Sequence, residues 1–104
     1  MLHILSPVDV QRLLADQQIV LIDVREPAEF GAERIHGALL CPLSTFDPAC
    51  LPSQEGKRIV LHCGVGKRSA MAAEKCLAAG WAEVTHLEGG LAAWKECGHA
   101  TLQG

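Results

Sequence analysis

Two apolar runs constrain this chain more than anything else in it. "IVLIDV" at 19–24 and "IVLH" at 59–62 are short, rich in β-branched residues, and do not alternate with polar residues. A strand with one face in water alternates; a strand covered on both faces does not. Both runs therefore predict interior strands of a sheet sandwiched between other elements. Weaker candidates are "VTHL" at 84–87, "LHIL" at 2–5, and "ALLCPL" at 38–43, where Pro42 favours an edge or a strand end.

Helical signals fall between these runs. Ser6 is a candidate N-cap, with Pro7 in the first turn and Asp9 favoured there by the helix dipole; Val10, Leu13 and Leu14 then share a face. Pro27 opens a short segment through Phe30. Ser69 to Ala79 is built of good helix formers and stops at Gly80, and Leu91 to Cys97 stops at Gly98. Strands alternating with helices imply parallel βα units. The expectation is an α/β fold in one domain, residues 1–104. Phe30 and Trp94 are expected as core anchors, and Trp81 as partly exposed.

Ligands of open parallel sheets bind beyond the carboxyl ends of the strands. Cys63 stands at such an end, immediately after "RIVLH". The stretch that follows is Cys63-Gly64-Val65-Gly66-Lys67-Arg68-Ser69. Glycines let backbone amides turn inward, and inward amides ahead of a helix form an anion nest. A thiol there favours its thiolate, with a pKa of about 3.5–7.5 against the usual ~8.5. Lys67 and Arg68 place positive charge on the rim, suited to a small anionic ligand, and Ser69 is a candidate N-cap of the next helix.

The rest of the composition narrows the partners. The net charge is −3, so Lys67 and Arg68 are a local feature of an acidic chain, and no basic surface points to nucleic acid or an anionic membrane. No run approaches the ~20 apolar residues of a membrane span, and "MLHILSPVDVQ" lacks the pattern of a secretory signal. Five cysteines, none in a C-x-x-C pair, fit a reduced cytoplasmic setting. Cys41 and Cys76 read as core residues, Cys50 and Cys97 as more exposed. The five histidines form no ligand cluster, so no metal is expected, and His62 reads as a packed strand residue.

At this point a family resemblance is plain. The loop is similar to the C-x-x-G-x-R-[ST] loop of rhodanese-like sulfurtransferases. "DVREPAEFGAERIHGA" at 23–38 resembles that family's D-V-R-x-x-x-E-[FY]-x-x-G-H-I-x-G-A, and "LEGGLAAW" at 87–94 its terminal G-G-x-x-x-W. The likeness runs in order along nearly the whole chain. Two departures stand out. Glu33-Arg34 replaces the family's Gly-His, read as surface variation, and Gly64 stands where many members carry a larger side chain.

The resemblance implies a parallel sheet of about five strands with helices on both faces. It also implies a double displacement. Cys63 takes sulfur from thiosulfate or from a persulfide donor, then passes it to cyanide, a thiol or a protein thiol, with no organic cofactor or metal. Gly64, Val65, Gly66, Lys67, Arg68 and Ser69 would bind the substrate. Asp23 and Arg25, at the same sheet end, would support the loop, chiefly by bracing one another.

Two rival readings remain. Cysteine phosphatases and arsenate reductases carry H-C-x5-R, whereas only four residues separate Cys63 from Arg68 here. The smaller ring suits a single sulfur better than a tetrahedral oxyanion. A docking or sulfur-carrier module is the other. Since the strands and helices use up nearly all of the chain, Cys63 is expected in a shallow, open pocket within reach of a large acceptor.

Overall fold

The computed structural model describes all 104 residues. The elements in order are β1 (Leu2–Leu5), α1 (Pro7–Ala15), β2 (Ile19–Asp23), α2 (Pro27–Ala32), β3 (Glu33–Arg34) and β4 (Leu39–Leu40). After 3-10 turns at Leu43–Thr45 and Pro48–Cys50 come β5 (Arg58–His62), α3 (Lys67–Ala78), β6 (Val84–Leu87), α4 (Gly90–Glu96) and β7 (Leu102–Gln103). Five strands form a parallel sheet in the order β1-β6-β5-β2-β4. The two apolar runs are neighbours at its centre: Ile19 pairs with Arg58 and Asp23 with His62.

The sheet is covered on both sides, as its apolar runs require. On one face Ile22, Val24, Ile59, Leu61 and Val84 pack with Ala72, Ala73 and Cys76 of α3. On the other, Ile19, Leu21, Val60 and Leu87 pack with Val10 of α1 and with Leu91 and Trp94 of α4. Small residues on α3 bring that helix close to the sheet. Trp94 anchors its side as expected, its indole N–H donating to the Ala100 carbonyl at 3.0 Å. Ser6 caps α1 through the Asp9 amide. No helix is long and apolar enough to cross a membrane.

Several local expectations need correction. The fourth strand is only Leu39–Leu40: beyond it the Cys41 and Leu43 amides still donate to Asp23 and Val24, but Pro42 has no N–H to continue a ladder. Cys41 is therefore half-buried at the margin of the core, whereas Cys76 is fully buried and Cys50 and Cys97 are exposed. Phe30 is also only half-buried; its ring lies beneath the Arg34 guanidinium, 5.6 Å from the centroid. Glu33-Arg34 is more than surface variation. It forms an antiparallel pair with β7, and the Glu33 carboxylate accepts hydrogen bonds from Thr101 at 2.7 Å and Lys95 at 2.9 Å. Those two donors, Thr101 foremost, hold its pKa at about 2.

Candidate active site

β5 delivers Cys63 to the carboxyl end of the sheet, and α3 begins four residues later. Gly66 makes the connection. At φ +101° it occupies backbone space that other residues rarely adopt, and it is the N-cap of α3. The helix thus starts at Lys67, two residues earlier than the composition predicts, and Ser69 is not its cap. That shift puts Ser69 in the first turn, where its unpaired amide points at the sulfur. The Gly66 amide donates to Cys63 Sγ at 3.1 Å and the Ser69 amide at 3.3 Å, and the Ser69 hydroxyl lies 3.7 Å away. Burial pushes the Cys63 thiol up. The Ser69 amide and hydroxyl and the Gly66 and Val65 amides outweigh it and leave the thiol below its ordinary value.

The sulfur is enclosed rather than open. Cys63 has 0 % exposure, and the three surface cavities are lined by other segments. The expectation of a shallow, open pocket is therefore wrong for this conformation. α4 pins the loop from the far side: the Leu91 amide donates to the Cys63 carbonyl at 2.8 Å and the Ala92 amide to the Gly64 carbonyl at 3.0 Å. Val65 stands out at the loop tip with 70 % exposure.

The cations of the loop separate. Lys67 is exposed and belongs to none of the ion pairs. Arg68 pairs with the Glu29 carboxylate on α2, and its Nη2, a mobile end, would lie 3.3 Å from a Cβ at position 64. Beneath the loop, Asp23 and Arg25 brace each other. The Asp23 carboxylate accepts from the Arg25 amide at 2.9 Å and from Nη2 at 2.8 Å, and Arg25 reaches on to the Glu33 carbonyl. Both are buried, as a fully hydrogen-bonded pair can be.

Sequence reasoning passed over one residue that the fold brings to the sulfur. His86 of β6 presents Nδ1 to the Ser69 hydroxyl at 2.9 Å. The signal was present in "VTHL", a single imidazole inside an otherwise buried strand at the same sheet end. Burial pushes His86 below its ordinary pKa, and Glu88 opposes that.

A parallel sheet covered on both faces, with one cysteine at its carboxyl edge facing the Gly66 and Ser69 amides, defines an α/β class. The family match agrees. Residues 6–97 match the Rhodanese-like domain, and the chain belongs to that family. It is 42% identical over 99 residues to an uncharacterized protein of Synechocystis, covering 95% of this chain and 55% of that protein, so it spans about half the relative's length. It is 31% identical over 88 residues to a sulfurtransferase of Allochromatium vinosum, covering 85% and 82%. Among solved structures, a rhodanese-related protein from Thermoplasma volcanium superposes with a TM-score of 0.81 at 26% identity, covering 96% of this chain and 97% of that one. A Rhodopseudomonas palustris protein of unknown function, described as a possible tyrosine phosphatase, superposes with a TM-score of 0.80 at 29% identity, covering 95% and 83%.

Proposed function

We propose that this chain, as a single rhodanese-like domain over residues 1–104, is a sulfurtransferase that works through a Cys63 persulfide. The donor is thiosulfate or a persulfide. The acceptor is cyanide, a small thiol or a protein thiol. The observation that carries this reading is the convergence of the Gly66 and Ser69 amides on one buried sulfur. Such donors favour the attacking thiolate and then hold the charge of the terminal sulfur.

In the first step the Cys63 thiolate attacks the outer sulfur of thiosulfate. A sulfur–sulfur bond forms at Cys63, and the bond to the sulfonate breaks with its electron pair leaving on sulfite. In the second step the acceptor's lone pair attacks the outer persulfide sulfur and the Cys63 thiolate is restored. Dividing the transfer this way is covalent catalysis with ping-pong kinetics. Lys67 attracts the dianion, while Arg68 holds the loop. The phosphatase reading is disfavoured because Cys63 and Arg68 are one residue too close, and because Arg68 is engaged by Glu29.

Mass spectrometry of the intact protein tests the assignment. Incubation with thiosulfate should add one sulfur atom at Cys63, and cyanide should remove it as thiocyanate. Full thiocyanate production by Cys63→Ala would defeat the proposal, as would hydrolysis of an aryl phosphate by a chain that takes up no sulfur.

A further inference from the structure

The proposed reaction needs a thiolate, yet neither Cys63 nor the Ser69 beside it has any exposed surface. A line of polar atoms leads from the sulfur outward. Sγ lies 3.7 Å from Ser69 Oγ, and Oγ lies 2.9 Å from His86 Nδ1. His86 retains 7 % exposure, so the imidazole is the member of the line that meets solvent. We propose that Cys63 and His86 titrate as a coupled pair through the Ser69 hydroxyl, with His86 a positioning residue for the nucleophile. The assignment rests on Cys63 being the reactive thiol of the site.

The Ser69 hydroxyl has one proton and three neighbours: Cys63 Sγ, His86 Nδ1 and the Gly66 carbonyl at 3.2 Å. With His86 neutral and its proton on Nε2, the hydroxyl donates to the bare Nδ1 and is free to accept the Cys63 S–H. With Nδ1 protonated, the N–H donates to Oγ and the hydroxyl turns its proton to the thiolate. The conversion balances. The S–H and O–H bonds break as the sulfur's proton passes to Oγ and the hydroxyl's proton passes to Nδ1. Thiol and imidazole become thiolate and imidazolium with no proton gained or lost. Each ionised partner therefore favours the other, and the pair titrates in two shared steps.

Two other charges act on the pair, Glu88 on the imidazole and the Arg68 guanidinium on the sulfur, and neither is changed in the variants below. At the level of His86 the neighbouring strands contribute Ile4 and Leu61, both apolar, and α3 contributes Ser69. Glu88 supplies the charge that opposes burial of the imidazole. A histidine packed in a strand for its volume alone would not place Nδ1 within hydrogen-bond reach of the one hydroxyl that touches the nucleophile.

The test is the ultraviolet thiolate absorbance of the wild-type chain, with that of Cys63→Ala subtracted, followed against pH. His86→Asn keeps a hydrogen-bonding amide near Nδ1 but cannot take the proton, and Ser69→Ala breaks the line. The wild type should titrate in two steps. Both variants should show one step at higher pH, with at least about threefold less thiolate near pH 6. If His86→Asn does not fold, the His86 ring resonances of the wild type and Cys63→Ala supply the same information. The wild-type midpoint should be higher by about half a pH unit or more. Superimposed curves for wild type and a folded His86→Asn overturn the proposal, as do equal His86 midpoints. Sulfur loading by mass is scored separately. Coupled titration without loading would sink the transferase reading and leave this one standing, and loading without coupling would do the reverse.

Discussion

Arg68 grips Glu29 with both ends of its guanidinium, Nη1 donating to Oε1 at 2.7 Å and Nη2 to Oε2 at 2.9 Å. The pair ties the first turn of α3, and with it the Cys63 loop, to α2. Glu29 also accepts the Glu26 amide, and Glu26 in turn holds the Ser44 hydroxyl at 2.7 Å. The hydrogen bonds from Arg68 hold the Glu29 carboxyl at about 2 instead of 4.5. A carboxylate depressed in this way stabilises the fold fully above about pH 4.5, and the contribution fades as pH falls toward 2. With Glu29 41 % exposed, solvent screening limits it to about 1 kcal/mol. Glu29→Gln should therefore lower stability by about 1 kcal/mol near neutrality, and its deficit should shrink in acid. Urea unfolding of both proteins across that range reads the difference. A deficit that does not change with pH would mean that the packing of Glu29 matters and its charge does not.

Lys67 makes the opposite case. Its ammonium is exposed and unpaired beside the loop, so its field is available to an incoming anion. Lys67→Ala should raise KM for a dianionic donor several-fold, while discharge of the loaded persulfide to cyanide changes by less than about twofold. Added salt should narrow the KM difference, because screening removes what the mutation removes. Arg68→Ala should depress both half-reactions, since it frees the loop from α2. Steady-state and single-turnover rates for the two variants separate these effects; identical patterns would mean that the two cations share one role.

The central strands, their covering on both faces and the placement of Cys63 were legible because each has a local cause. β-branched runs without alternation report burial on both sides, and a Gly-rich segment before a helix former reports a turn. What was not legible depends on partners far apart in the chain. Arg68 looks like a free cation in "GKRS", and only the fold brings Glu29 to it from 39 residues away. His86 looks like a strand residue until α3 sets Ser69 above it. The anchoring of the Cys63 loop was missed for the same reason, because α4 supplies the donors that pin the loop carbonyls and nothing within residues 63–69 announces them.

Gly90 should be the least replaceable residue outside the loop. Its φ is +59°, and a Cβ there would lie 2.4 Å from the Cys63 carbonyl oxygen and 2.9 Å from that of Gly64. Both atoms are backbone, so neither can swing aside, and both accept the α4 amides that follow. Gly90→Ala should cost about 2 kcal/mol or more and should slow Cys63 alkylation or sulfur uptake in whatever fraction remains folded. Gly80 is the control. Its φ is +101° with nothing within 4 Å of a Cβ, so Gly80→Ala should cost about 1 kcal/mol through backbone strain alone and leave sulfur transfer intact. Thermal melts together with persulfide loading distinguish the two. Equal costs would show that the positive φ, and not the approach to the Cys63 loop, governs position 90.

His62 makes stability depend on pH from within the core. The ring is wholly buried, with Nδ1 3.3 Å from the Cys63 carbonyl and Nε2 3.5 Å from Asp23 Oδ2, too far for a hydrogen bond. Burial pushes its pKa below 6.5, and Asp23 opposes that without reversing it. The folded chain therefore keeps His62 neutral where the unfolded chain has already taken up the proton. Stability should be flat above about pH 7 and should fall as pH drops below about 6.5, by up to ~1.4 kcal/mol per pH unit for each such histidine. His86 is shifted in the same direction and adds to the slope. His62→Gln has no proton to exchange in this range. It should be less stable than the wild type near pH 7, since it disturbs a packed site, yet its stability should decline less steeply, by about one proton's worth, between pH 6.5 and about 5. Urea midpoints measured at half-unit pH intervals give both slopes. If the wild type and His62→Gln decline in parallel, the native imidazole is already charged and paired with Asp23, and the neutral, burial-dominated state described above is wrong.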